Sequence, residues 1–406
     1  MTRDARPRLR RHRIVVPLFA ALLAVFGAVI ATEAVRVVGD ELERPDLAAF
    51  YAQPSPATAG EPGAMIKSEE LVGVPFAARA WRLMYHSRDL HDEDVIVTAI
   101  LVVPLGPAPA EGRTVVSWGH PTTGSAPTCA PSYGLDPFIG IEGMRPLLDR
   151  GYAVVATDYA GMGTAGPDSY LVGVTEGNNV LDAVRAARAI PAASASERVI
   201  LWGHSQGGQA VLFAAEQAGT YAPELQIEAV AAAAPAADLS ALMRSHLDDI
   251  SGVTIGSYAF AAYADVYGDA VPGAQLSTVL TPAAIALLPR MNSLCLLTNI
   301  PELHEIGQPL VGNFFAQDPT TTAPWNELLA ENSAGGTSFS APLFIAQGLS
   351  DQLVVPADTE EFVRHEQSIG VDVTFEPISF ATHATVAYLA IPGLLSWLDR
   401  TVSPAP

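Results

Sequence analysis

The feature that most constrains this chain is a change of periodicity inside one short stretch. Val199-Ile200-Leu201-Trp202 is apolar, β-branched and aromatic, the pattern of a buried strand. Gln209-Ala210-Val211-Leu212-Phe213-Ala214-Ala215-Glu216-Gln217 is built largely of helix formers. Between them stands Gly203-His204-Ser205-Gln206-Gly207-Gly208. A strand that becomes a helix over so few residues must bend sharply. Gly-x-Ser-x-Gly is the pattern of a bend that forces its serine into strained dihedrals and lifts the hydroxyl clear. Gly203 and Gly207 are needed because a Cβ at either would strike the neighbouring strand or helix. An ordinary glycine-rich turn is the competing reading, and the strand-before, helix-after context weighs against it. His204 points elsewhere than Ser205 in such a turn and reads as a packing or loop-contact residue, not a base.

Strands and helices alternate around this centre. Candidate strands fall at 81–86, 95–103, 114–118, 153–157, 199–202, 229–234, 342–347 and 372–377. A polar turn at Arg88-Asp89-Leu90-His91-Asp92-Glu93-Asp94 separates the first two, as in a hairpin. Later strands interleave with helical stretches such as 175–190, where Val180, Leu181, Val184 and Ala187 share a face. The expected class is α/β: a mostly parallel sheet of about eight strands, helices on both faces, the site at the strands' carboxyl ends. From 238 to 340 the alternation stops, yet the segment is rich in apolar and aromatic residues such as Tyr258, Phe260 and Phe314. A structureless loop of that length is improbable. The expectation is an inserted helical lid over Ser205, with a helical decoration as the alternative.

A serine hydroxyl needs a base, and the base needs a carboxylate to fix its tautomer. After a bend of this kind the partners follow in the order acid, then histidine. Leu343-Phe344-Ile345-Ala346 leads into a glycine-containing turn with Asp351, and Val373-Thr374-Phe375-Glu376-Pro377 leads to His383. Three residue types in the required order thus occupy loop positions along one sheet edge. Asp358 reads as a helix-dipole partner and Asp372 as a strand start, while Asp238, after an earlier strand, is the alternative acid to Asp351, in a rearranged triad. His365 belongs to a helix; His246 and His304 lie in the insertion. The oxyanion of acyl transfer needs backbone donors. Gln206, directly after the serine, supplies one. The loop Ser117-Trp118-Gly119-His120-Pro121-Thr122-Thr123-Gly124 supplies the other, and because Pro121 has no N–H the choice falls on Thr122.

The N-terminus carries Arg3, Arg6, Arg8, Arg10, Arg11 and Arg13, then an uncharged apolar run over 14–31. Basic first and apolar second is an export pattern, so residues 1–34 read as a signal peptide or membrane anchor, with 14–31 as the tether. Either way the body lies outside the cytoplasm, secreted or anchored. Residues 35–70 read as a Pro- and Ala-rich linker and the edge of the domain, which spans 71–400. The whole chain's net charge is −21, and because residues 1–34 are net basic the body is more acidic still, which disfavours nucleic acid as a partner. Cys129 and Cys295 fit no zinc or redox motif. No metal or organic cofactor is called for.

Four places carry a resemblance: Gly203-His204-Ser205-Gln206-Gly207-Gly208, Cys129-Ala130-Pro131-Ser132-Tyr133-Gly134, Tyr221-Ala222-Pro223-Glu224-Leu225, and the spacing from Asp351 to His383. Together they resemble the secretory lipases of the Candida lipase A type, over residues 70 to 400. His120-Pro121-Thr122 is more similar to the oxyanion loop of bacterial esterases. The resemblance implies an α/β-hydrolase fold with a lid inserted before the acid-bearing strand. It implies activity on carboxylic esters, triacylglycerols among them, and a disulfide between Cys129 and Cys295. An acyltransferase using the same triad, a peptidase, and a non-catalytic surface lipid-binding module are the competing readings.

Overall fold

The computed structural model describes residues 47–402, apart from 55–57, 73, 75, 76 and 135. The signal or anchor reading of 1–34, with its apolar run 14–31, and the linker's first part, 35–46, lie outside the described residues. The chain divides into two units, Met1–Ala52 and Gln53–Pro406. In the first, 47–51 forms a helical turn on which Phe50 and Tyr51 meet edge to face, 5.4 Å between ring centroids. Everything below concerns the second.

Its frame is a nine-stranded sheet: β1 (Met65–Glu70), β2 (Ala78–Arg88), β3 (Asp94–Pro104), β4 (Arg113–Gly119), β5 (Ala153–Thr157), β6 (Ala195–His204), β7 (Gln226–Ala233), β8 (Leu343–Gly348) and β9 (Val373–Ile378). The order is β1-β2-β3-β5-β4-β6-β7-β8-β9. β1, β2, β3 and β5 pair antiparallel, and from β5 onward every neighbour is parallel. The strand beyond the eight expected is β1, which falls inside the segment read as linker. It is short and polar (Met-Ile-Lys-Ser-Glu-Glu), so it lacks the alternation that marks a half-buried strand.

The helices follow from the same periodicities. They are α1 (Met144–Leu148), α2 (Gly173–Arg188), α3 (Gln206–Tyr221), α4 (Leu239–Ser245), α5 (Ile250–Tyr267), α6 (Pro282–Asn292), α7 (Leu296–Gly307), α8 (Trp325–Glu331), α9 (Pro356–Ser368) and α10 (His383–Thr401). Because strand side chains alternate, Val199 and Leu201 enter one core with Val180 and Val184 of α2, Leu212 of α3 and Phe362 of α9. Ile200 and Trp202 enter the other, with Leu147 of α1, Leu394 and Trp397 of α10, and Val253, Tyr258 and Phe260 of α5. A strand buried on both faces reads as a continuous apolar run, which is why β6 was visible in the sequence. The insertion holds α4 to α8 and an isolated bridge between Leu280 and Phe315. Its aromatic residues extend the second core without a break, so it is packed structure. Among the described residues no helix is long and apolar enough to cross a membrane.

One buried group gives the fold a pH dependence. Glu366 on α9 is fully buried, and neither carboxyl oxygen has a hydrogen-bond partner. Burial, with the nearby Glu216 carboxyl adding to it, pushes its pKa up from 4.5 to about 7. The raised value means that the folded state holds the proton more tightly, so stability is complete below pH 4.5 and is lost as pH rises through 7. Replacing Glu366 by Gln removes the ionisation. The variant is expected to match the native protein in Tm near pH 4.5 and to exceed it at pH 8, by about 2–3 kcal/mol of stability; equal pH profiles in thermal melts would refute this.

Candidate active site

Ser205 links β6 to α3 at φ 57° and ψ −116°, a conformation unfavourable for a residue with a side chain. The turn is held at its backbone. Ser205 N donates to Ala233 O at 3.0 Å, and Ser205 O accepts from Ala236 N at 3.0 Å and Gln209 N at 3.1 Å. The flanking glycines are there for close approach. A Cβ on Gly203 would collide with Gly207 O, and one on Gly207 would collide with Gly119 O at the end of β4.

Asp351 and His383 arrive on the loops after β8 and β9. These loops are tied together by Leu349 N donating to Ile378 O (3.0 Å) and Ser350 N to Ala381 O (2.9 Å). His383 lies one step further on than the loop expected of it. It is the first residue of α10, behind Thr382, whose side chain forms a capping box with Thr385. The helix start therefore sets its backbone direction. His383 Nε2 is 2.9 Å from Ser205 Oγ, and Nδ1 is 2.8 Å from Asp351 Oδ2. The other oxygen of Asp351 accepts from Leu353 N (2.8 Å) and Val354 N (3.0 Å), which suits an ionised carboxylate. Burial lowers the His383 pKa below its ordinary 6.5, the Asp351 carboxylate opposes that, and the His204 and His246 rings add to the lowering. The imidazole is thus neutral at pH 7 and able to accept a proton.

The competing residues sit elsewhere. Asp238 caps α4, accepting from Ala241 N at 2.8 Å. Asp358 is in the first turn of α9, and Asp372 offers its carbonyl to Leu343 N. His365 is on α9 and His304 on α7. His246 bonds Asp249 (2.6 Å) and Leu353 O (2.8 Å), bracing the Asp351 loop from the insertion.

Gln206 occupies the first position of α3, where a backbone N–H has no acceptor within the helix. Its side chain donates to the fully buried Glu176 at 2.6 Å, and burial holds that carboxyl's pKa well above the usual range. Thr122 follows β4, whose end lies in register with β6 through Gly119 and Gly203. Its hydroxyl pairs with Tyr170 OH at 2.8 Å, and Tyr170 meets Tyr258 of α5 edge to face at 5.6 Å. Thr123 O accepts from Leu296 N of α7 at 2.8 Å, and Cys129 is disulfide-bonded to Cys295. The loop bearing Thr122 is therefore fastened to the insertion by a covalent bond and a backbone bond, and indirectly through the Tyr170 hydroxyl, whose ring meets Tyr258 edge to face. Glu176, Tyr170 and Glu142 stand beside these residues without any sequence signal, since no spacing links them to the serine. Among the described residues no His, Cys, Asp or Glu cluster is arranged to hold a metal ion.

A mostly parallel sheet with a serine on its sharpest strand-to-helix bend defines the α/β-hydrolase fold. The chain is similar in structure to Candida antarctica lipase A, with a TM-score of 0.72 and 20% identity over 88% of this chain and 87% of that one. In sequence it is 24% identical to Lipase 10 of Candida albicans, over 95% of this chain and 86% of the relative. It is likewise 24% identical to a probable inactive lipase of Mycobacterium tuberculosis, over 88% and 82%. The secretory lipase family model matches residues 139–406. The chain belongs to the secretory lipase family and is a lipase-type carboxylic-ester hydrolase.

The disulfide closes a loop of 166 residues. Replacing both cysteines by Ser is expected to cost about 2–5 kcal/mol, read as a lower urea midpoint; an unchanged midpoint would show the bond to be structurally idle.

Proposed function

We propose that Ser205, His383 and Asp351 carry out ester hydrolysis through an acyl-enzyme. The observation that carries the reading is the single imidazole bridging the hydroxyl at 2.9 Å and the carboxylate at 2.8 Å. Ser205 Oγ attacks the ester carbonyl carbon while His383 Nε2 takes its proton, and the carbonyl electrons move onto oxygen. The amides of Gln206 and Thr122 hold that oxyanion. Collapse expels the alcohol, which leaves with the proton from His383. Water then attacks the acyl carbon, His383 again taking and returning the proton, and the carboxylic acid departs. Asp351 keeps Nδ1 protonated and stabilises the imidazolium.

Substrates in this reading are lipid esters, triacylglycerols included. The reading is supported by the family, by the apolar insertion, and by the burial of Ser205, which is only 7% exposed. The helices between 238 and 340 act as the lid that turns an acyl chain away from water. The basic-then-apolar head and the family together support a body outside the cytoplasm, secreted or anchored. One relative is named a probable inactive lipase, so a lipid-binding module without turnover is the second reading. The intact bridge from Ser205 to Asp351 favours catalysis over it. An acyltransferase would form the same acyl-enzyme and pass it to an alcohol, which product analysis with added alcohol distinguishes.

Ser205→Ala is expected to abolish turnover of p-nitrophenyl esters and labelling by a fluorophosphonate, with the fold intact by circular dichroism. Substantial ester cleavage by the purified variant refutes the mechanism. Because the His383 pKa is lowered from 6.5, kcat/KM is expected to rise with pH along an acid limb whose midpoint lies below that value; a midpoint above it contradicts a buried base.

A further inference from the structure

One buried imidazole beside the site has no role in the chemistry above. His204, one residue before Ser205, and Glu142, on the loop before α1, are each 4% exposed. His204 Nε2 lies 3.0 Å from the carbonyl oxygen of His383, and Nδ1 lies 3.2 Å from Glu142 Oε1. The two imidazole rings are 5.0 Å apart.

Proton counting restricts what this pair does. A carbonyl oxygen has no hydrogen, so Nε2 must carry one and donate it. Nδ1 then either donates to a Glu142 carboxylate or accepts from a protonated Glu142 carboxyl. In both forms the pair as a whole is uncharged, as its burial requires. Removing the acid frees Nδ1 to take the hydrogen. The bare lone pair of Nε2 would then face the carbonyl of His383. The acid is itself held in place, because Trp202 Nε1 of the same strand donates to Glu142 O at 2.9 Å. The arrangement repeats the Asp351–His383 relation one step back from the hydroxyl: a carboxyl sets a tautomer, and the far nitrogen holds the next group.

We propose that Glu142 and His204 are positioning residues for the ester hydrolysis, the acid fixing the tautomer of His204, whose Nε2–H holds the backbone of His383 so that its ring spans Ser205 and Asp351. This rests on the triad reading given above. The backbone of His383 opens α10, so a donor on its carbonyl fixes the ring's origin while Asp351 fixes its rotation. Four titratable groups surround that ring: Asp351 on its own side of the sheet, His204 on β6, Glu142 behind His204, and His246 from the insertion. Of these, His204 and His246 disfavour the imidazolium and Asp351 favours it.

The test uses the full chain and a soluble p-nitrophenyl ester. His204→Phe keeps an aromatic ring and removes the donor. It is expected to lower kcat roughly 10²-fold with KM little changed, and to move the acid limb of the pH profile upward, because one group opposing the imidazolium is gone. His204→Gln, whose amide can donate to the same carbonyl, recovers a large part of kcat. Glu142→Leu reproduces the loss, Glu142→Gln retains more of kcat because its amide donates to Nδ1, and His204→Phe with Glu142→Leu is no worse than either alone. Circular dichroism checks the fold; if His204→Phe does not fold, the two Glu142 variants decide. Native kcat and acid limb in folded His204→Phe, equal activity of Glu142→Leu and Glu142→Gln, or losses that multiply in the double variant would overturn the proposal. If Ser205→Ala retained hydrolysis, the triad reading would fail instead, and the two failures are thereby told apart.

Discussion

Three backbone segments meet at Ser205 with no room for a side chain between them. The end of β4 at Gly119, the end of β6 at Gly203 and the first turn of α3 at Gly207 approach so closely that an added Cβ strikes a carbonyl oxygen. This contact lets the chain leave a buried strand and enter a helix at once. It holds Ser205 at φ 57° and puts the Gln206 amide at the helix start, where the helix itself offers no acceptor. A residue in that conformation costs of order 1–3 kcal/mol. Three backbone hydrogen bonds at Ser205 N and O offset the strain, each worth roughly 0.5–1.5 kcal/mol net. Two of those partners, Ala233 O and Ala236 N, come from β7 and its following turn, and the third, Gln209 N, from α3 itself.

Around this bend the buried acids divide by what they can bond. Asp351 accepts two backbone amides and faces an imidazole N–H, so it has partners suited to a charge. Asp158 receives two hydroxyls and an amide, and burial still raises its pKa to about 6. Asp168 rises to about 7 for the same reason, with fewer donors. Glu176 is also held well above its ordinary value by burial, and it accepts the Gln206 side-chain amide. Desolvation raises Asp158, Asp168 and Glu176, and the hydrogen bonds each accepts oppose that rise.

The insertion is not an appendage to this frame. Its α5 shares a core with Trp118 and Trp202, and its α7 begins at a cysteine bonded to the loop that carries Thr122. A displacement of the start of α7 therefore carries that loop with it. His246 makes a comparable connection on the other side, to the loop of Asp351.

Local composition determined the parts that depend on period and order. The apolar run of β6 and the glycine spacing around Ser205 were legible because strand, bend and helix each impose a pattern on neighbouring residues. So were the parallel sheet, the helical insertion, and the order of Ser205, Asp351 and His383. The polar edge strand β1 carried no such pattern, and its place is set by backbone pairing with β2. The Cys129–Cys295 pairing came from family resemblance, since two cysteines so far apart have no local relation. Tertiary structure alone decided which buried polar groups meet: Glu142 with His204, Glu176 with Gln206, Tyr170 with Thr122. Those partners come from separate loops and helices, and only folding brings them within reach of a hydrogen bond. A sequence records which groups are available to bond, while the distance and direction between them belong to the packed chain.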